Sequence, residues 1–466
     1  MSSTRLWLTV ALVAVTALAF ASPASAARGL DLGFADPLYH SPSDRNLWLD
    51  RSSEARARIV KLFSGWDGLV SSEPANPRDP DDPAYSFAGL DSSVRAARSR
   101  GFEVLIGVQG APAWAEGAKR AESAPPGTWK PSPNAFEDFM AALAKRYSGS
   151  YPDPKGGTLP RVRNFQIWNE ANLSTYLTPQ WKGKRPVGAQ HYKKLLNAAY
   201  DGAHAVNKNA RVVTTGLAPY GDEPGGLRSR PLEFWREIFC LQGRKRLRAA
   251  KRCPNKARFD VFAHHPINTS GPPRKSALDP DDASSGDLPV VTRTLRAAER
   301  QRTVGGGRRH ELWATEIWWE SDPPSKDGYA LKTQARFIQE TMYLSWKAGF
   351  SAAIQLRIRD SPRSASAGSR TADGLYFLSG KPKPSARAFR FPFVADPGKG
   401  SRVSVWGKAP HKGKVVIERL SGKRWQRVGR AKAGKTRVFS ARLKVKGNPK
   451  LRARADGQTS LPWKLR

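Results

Sequence analysis

Residues 164–173 read NFQIWNEANL, and the fold turns on this stretch. Phe165, Ile167 and Trp168 make an apolar run of strand length that stops abruptly at Asn169 and Glu170. A carboxylate at the exit of an apolar strand is costly unless it is solvated or paired. Parallel α/β barrels put their reactive groups at that exit, because the loops after the strands gather on one face.

Outward from this stretch, residues 29 to about 392 alternate short apolar runs with helical patterns. The strand candidates are residues 30–35, 57–63, 103–108, 162–168, 211–217, 259–263, 311–317 and 351–356. Between them lie helical patterns such as HYKKLLNAAYDGAHAV, residues 191–206, where Tyr192, Leu195, Leu196, Ala199, Ala203 and Val206 recur at spacings of three and four. Another, LDSSVRAARSRG at residues 90–101, ends on a glycine stop. Eight strand–helix units predict an α/β fold closed as a (β/α)8 TIM barrel. A doubly wound open sheet is the competing arrangement, but its usual glycine-rich first turn is missing from LDLGFADPLYH, residues 30–40.

From residue 393 the character changes to alternating strands broken by Gly, Lys and Pro turns, which predicts a small all-β, sandwich-like domain over residues 393–466. With 78 Lys and Arg against 40 Asp and Glu the chain carries +38, and residues 396–466 hold +18 of it. Such charge bears on partners and solubility, not on fold. The basic tail is read as a solvated surface, with contact to an anionic cell-wall polymer as the sharper alternative. Its Trp406 and Trp425 are expected in a small core rather than on sugar.

Residues 1–26 have the pattern of a secretory signal: Arg5, the apolar run 6–21 and the small residues Ala24, Ser25 and Ala26. The protein is therefore expected to be exported, secreted or wall-associated, with residues 27–392 as its barrel. No later stretch reaches transmembrane length. The two cysteines, Cys240 and Cys253, flank a basic segment and are expected to pair in an oxidising compartment. The segment between them, GRKRLRAAKR, is read as a solvated helix face, with no specific nucleic-acid role. Gly305, Gly306 and Gly307 with Arg308 and Arg309 precede a strand instead of opening a helix, so they read as a turn and not as a phosphate loop. Seven histidines form no metal-ligand spacing, so no metal and no cofactor are expected.

The chemistry is concentrated in two segments, since ELWATEIWWES at residues 311–321 repeats the pattern of the first with Glu316. In a barrel, the exits of strands four and seven face one another across the mouth. Two carboxyls there, one protonated and one ionised, are what glycoside hydrolysis needs. Trp114, Trp168, Trp318 and Trp319 are candidates to pack against sugar rings. Taken singly, either glutamate also fits a structural role, as a helix-start carboxylate for Glu170 or an ion pair for Glu316.

The segments WNEAN (168–172), TEIWW (315–319), GAPAWA (110–115) and DVFAHHP (260–266) resemble the clan A glycoside hydrolases, with the Asn169–Glu170 pair the most specific element and the nearest likeness to the cellulase-like family 5 and the β-xylosidase-like family 39. The resemblance spans about residues 29–392. It implies Glu170 as general acid/base, Glu316 as covalent nucleophile, Asn169 as hydrogen-bond partner of the sugar 2-hydroxyl, His265 lining the sugar site, retention of anomeric configuration and a β-linked oligo- or polysaccharide as substrate. Three positions depart from the family pattern. Lys61 stands where an arginine is usual, Ile267 where a tyrosine follows the histidine, and Gln355 in place of a tryptophan at the floor, where Arg357 or Asp360 can take a neighbouring role. These departures keep open a second function, a carbohydrate-binding surface protein weakened in turnover on the same fold. A third, an exported polyanion binder, rests on charge alone.

Overall fold

The computed structural model describes residues 26–268, 271–305, 309–362 and 371–465. The expected leader lies outside them except for Ala26, as do Gly306, Gly307 and Arg308 of the glycine-rich turn.

Eight parallel strands form the barrel: β1 Asp31–Ala35, β2 Ile59–Gly65, β3 Glu103–Gln109, β4 Asn164–Ile167, β5 Arg211–Val213, β6 Val261–His264, β7 Glu311–Ile317 and β8 Ala352–Leu356. Each pairs with its neighbour in chain order, and β8 pairs with β1 to close the ring. The helices that return the chain are α1 Arg45–Glu54, α2 Ala88–Arg98, α3 Pro133–Arg146, α4 Val187–Val206, α5 Pro231–Ile238, α6 Leu288–Arg300, α7 Leu331–Lys347 and α8 Pro384–Arg390. Two apolar layers follow from strand alternation. Ala35, Ile59, Leu105, Val213, Val261, Ala263, Trp313, Ala352 and Ile354 fill the lumen, while the opposite faces join the larger cluster under the helices.

β5 stops at Val213 although the apolar pattern runs to residue 217. The reason is chemical: Ala263 donates its N–H to the Thr214 hydroxyl at 2.8 Å, so a side chain replaces the backbone acceptor of the ladder. On α4 the expected stripe is buried, apart from Val206 at the helix end, which is 41% exposed.

Eight further strands follow: β9 Phe393–Pro397, β10 Arg402–Lys408, β11 Gly413–Ser421, β12 Arg424–Ala433, β13 Val438–Lys444, β14 Lys450–Ala455, β15 Gln458–Thr459 and β16 Trp463–Lys464. They form two antiparallel sheets, ordered β9-β10-β13 and β12-β11-β14-β15, with β16 also on β14. This small all-β region shares its core with the barrel. Trp406 is buried against Tyr343 and Trp346 of α7, and Lys408 donates from Nζ to the Leu30 carbonyl. Trp425 is half-buried beneath Arg452, whose guanidinium lies 4.2 Å from the ring centre.

Cys240 and Cys253 are bonded to each other, with Cα atoms 5.5 Å apart. The basic segment between them is a two-stranded ribbon, Leu241–Gln242 with Arg248–Ala249, and not the expected helix face. A 13-residue closure with left-handed Cys240 and Gly243 turns the chain back before a helix can develop. Among the described residues no helix is long and apolar enough to cross a membrane.

Candidate active site

The exit of β4 is bent by two non-glycine residues in the left-handed region, Trp168 at φ 67° and Glu170 at φ 37°. Such conformations cost on the order of 1–3 kcal/mol each and persist only where neighbours impose them. Here Trp168 donates its N–H to the Val108 carbonyl, Glu170 to Gly216 and Ala171 to the Thr215 hydroxyl. Asn172, fully buried, binds the Ala218 and Ser229 carbonyls through its amide and accepts from the Ala218 N–H. The turn is thereby stitched to the loop after β5, and Glu170 is presented at the barrel mouth.

Glu316 comes from β7, where strand alternation breaks. Ala353 pairs with Ala314 but Gln355 with Ile317, so a register shift lies beside Glu316. A slip of one residue exchanges the two faces of a strand, which lets Glu316 meet groups from β2 and β6. Lys61 of β2, 2% exposed, donates from Nζ to Glu316 Oε1 at 2.8 Å. His265, directly after β6, places Nδ1 3.0 Å from Glu170 Oε1 and 3.7 Å from Glu316 Oε2. A carboxylate oxygen of each glutamate and a ring nitrogen of His265 all lie within 4.8 Å of one another.

Two glycines make room for this cluster. A Cβ on Gly216 would stand 2.1 Å from the His265 ring, and one on Gly107 would press the Lys61 stem at 3.2 Å. Neither position stands out in the sequence, because the steric demand arises only when distant strands meet.

Burial pushes the Glu316 carboxyl up, but His265, Lys61 and Arg357 pull it down further, and the net is a value below the ordinary range. Tyr176, on the loop after β4, is driven the other way: burial and the charges of Glu170 and Glu316 hold its phenol well above its usual value, against a hydrogen bond with Asn169. Tyr176 thus feels the charge of both carboxylates, and the sequence reading does not single it out. Its one signal is an aromatic six residues past Glu170. Behind the cluster, burial raises Asp373 to about 7 although Arg357 Nη1 lies 3.1 Å from its carboxylate.

The residues expected at the site divide clearly. Glu170, Glu316, Asn169, His265 and Lys61 come together as described. Trp318, after β7, is half-buried. Trp168 is 1% exposed, with its indole N–H on the Tyr176 carbonyl and its edge on Phe136, so it supports the turn instead of offering a face to sugar. Trp319 is likewise core, bonded to the Thr341 hydroxyl. Trp114 stands edge-on to Trp66 and lines a groove of about 260 Å³ with Glu73, Tyr85 and Asp138. Gln355 is fully buried and gives its amide to the Leu356 and Asp373 carbonyls, because on β8 the lumen face belongs to Ala352, Ile354 and Leu356. Ile267 is buried, and His264 binds the Ala283 carbonyl, its imidazole lowered to about 4 chiefly by burial.

Glu170, His265 and Glu316 are also spaced to share a cation. Lys61 Nζ already supplies a positive charge to Glu316 Oε1, so a metal ion bound there would be repelled by the ammonium. A larger cavity, about 540 Å³, opens at the opposite end of the barrel beside the first residues of β5 and β7. Its acidic groups are already paired, Asp260 with His204 and Glu311 with Arg211, each at 2.9 Å, and that end of a barrel serves stability.

No family model matches the chain, and no curated protein matches it in sequence. Solved structures do match. A family 39 glycoside hydrolase from Bacteroides cellulosilyticus WH2 superposes with a TM-score of 0.53 at 14% identity, covering 90% of this chain and 81% of its own. A monomeric β-xylosidase from Caulobacter crescentus CB15 gives 0.52 at 15%, covering 91% and 98%. A glucosidase from Croceicoccus marinus gives 0.52 at 14%, covering 92% and 82%. The chain is similar to these proteins in fold, barrel and β region together.

Proposed function

We propose that this protein is a glycoside hydrolase that cleaves β-linked oligo- or polysaccharides by retaining double displacement. The observation that carries the reading is that one carboxylate oxygen of Glu170 and one of Glu316 lie within 4.8 Å of each other around His265, at the exits of β4 and β7. Retaining enzymes hold their carboxyls about 5–5.5 Å apart, whereas inverting ones need about 6.5–9.5 Å to admit a water. The likeness in fold to family 39 enzymes supports the same class.

In this reading Lys61 holds Oε1 of Glu316 and leaves Oε2 to attack the anomeric carbon. A lysine binds one oxygen where an arginine fork would bind two, so the carboxylate is fixed at a single point. Glu170 gives its proton to the glycosidic oxygen as the bond to the leaving sugar breaks, and a glycosyl–Glu316 ester forms. Glu170, now ionised, takes a proton from water as that water attacks the anomeric carbon and releases Glu316. His265, between the two carboxylates, orients Glu170. Asn169 and Tyr176 face the sugar hydroxyls. The protein does this work outside the cell, exported by the leader of residues 1–26.

The test is direct. Wild type should release reducing sugar from a β-linked glycan panel, and Glu316→Ala should abolish release while leaving the melting curve intact. Glu170→Gln should slow cleavage most for poor leaving groups. Product of inverted configuration would rule out double displacement. Equal inertness of wild type and Glu316→Ala, with glycan binding retained, would leave the binding-protein reading.

A further inference from the structure

The strands β12, β11 and β14 lie side by side, and their register sorts charge onto one face. Lys432 pairs with Lys414, Arg430 and Arg454 flank Val416, and Arg427 and Arg452 flank Glu418. Paired residues share a face and alternate residues return to it, so all six cations stand together. Lys414, Arg427, Arg430, Lys432 and Arg454 are exposed, and Arg452 is half-buried. The other face carries Val415, Ile417, Leu451 and Ala453, all buried. Glu418 is the one acidic residue of the three strands, and it receives the Nε–H groups of Arg452 and Arg454, each at 2.8 Å.

Like charges opposite one another on paired strands, as Lys414 and Lys432 are, oppose folding. Nothing inside the sheet offsets this beyond one carboxylate. An anionic chain laid across the strands would turn the repulsion into attraction and release counterions.

We infer that this face binds a carboxylate-bearing polysaccharide, a polyuronate, and holds the barrel against it. Four of the six cations are arginines, whose planar fork matches a carboxylate. The seating of Glu418 between Arg452 and Arg454 shows that neighbouring arginines on this face are spaced to grip one. Single-stranded nucleic acid is less well served, because it needs open aromatic rings on which bases stack. Trp425, the aromatic of these strands, is covered by Arg452. The choice of a glycan rests on the hydrolase reading above, while the anionic character rests on the register alone.

The experiment uses the full-length protein in affinity electrophoresis through gels containing polygalacturonate, neutral xylan, polyphosphate or duplex DNA at matched charge. Wild type should be retarded by polygalacturonate and not by xylan, less so as salt rises. Lys414→Ser/Arg430→Ser/Lys432→Ser, all exposed positions, should bind polygalacturonate at least about tenfold more weakly, about 1.4 kcal/mol, with an unchanged melting curve and unchanged turnover of a short soluble substrate. Equal retardation of wild type and the triple variant would overturn the inference, as would preference for DNA or polyphosphate over polygalacturonate. Glu316→Gln separates the two readings, since it should lose turnover and keep binding. Binding without turnover by wild type on any glycan sinks only the hydrolase, and turnover without binding sinks only the polyuronate face.

Discussion

Lys61 and Glu316 are 255 positions apart and touch at 2.8 Å inside a site almost closed to solvent. Removing the ammonium would strand a buried carboxylate, which relieves the cost by taking up a proton. The sign follows. Lys61 lowers Glu316, so Lys61→Met raises it, and the ionised nucleophile disappears at higher pH than before. The acid limb of the kcat profile should then move up by about one pH unit or more, at about 1.4 kcal/mol per unit. A limb that stays in place in a pH–rate series would mean that Lys61 does not set the charge of Glu316. Gly216 makes the complementary point about space. Gly216→Ala puts a methyl 2.1 Å from His265, so the ring must move away from Glu170. We expect a destabilisation of about 1–3 kcal/mol, read by urea denaturation, with a fall in kcat larger than any change in KM. At this scale Glu170 and Glu316 were legible as strand-end carboxylates. Tyr176 and Gly216 were not, because their roles depend on what folds against them.

Strands and helices were legible where the apolar period was strong, and less so where a side chain took over a backbone role. β7, with seven residues, matches its pattern from end to end, whereas β5 loses four residues to the threonine that replaces a ladder acceptor. Gln355, expected at the floor of the sugar site, lies outside the lumen because of the alternation on β8. The hairpin closed by Cys240 and Cys253 belongs to the connection between α5 and β6, which lies at the end of the barrel away from the carboxylates. Cys240→Ser/Cys253→Ser should therefore lower stability by up to about 3 kcal/mol through loop-closure entropy and leave kcat unchanged. Loss of activity at full foldedness, judged by near-ultraviolet dichroism, would contradict that placement.

Across the whole molecule, the barrel and the β region are bound by more than a linker. Trp406 is buried against α7, Tyr343 gives its hydroxyl to Asp396 at 2.8 Å, and Arg274 bridges Glu340 of α7 and Asp396 of β9. Trp406→Ala should cost about 3–5 kcal/mol, and a chain ending at residue 392 should expose Tyr343 and Trp346 and be recovered insoluble. A truncated barrel that melts cooperatively at the wild-type temperature would show the two parts to be independent. The sequence by itself determined the count of strand–helix units, the strand exits that bear carboxylates and the excess of positive charge, because each is a local pattern of side chains along the backbone. Only the tertiary structure decided which groups share the mouth of the barrel, which tryptophans face inward and how six cations come to one face. The first two depend on ring closure, which brings together residues hundreds of positions apart and leaves no periodic trace in the chain, and the third on strand register, which sets separate basic runs side by side.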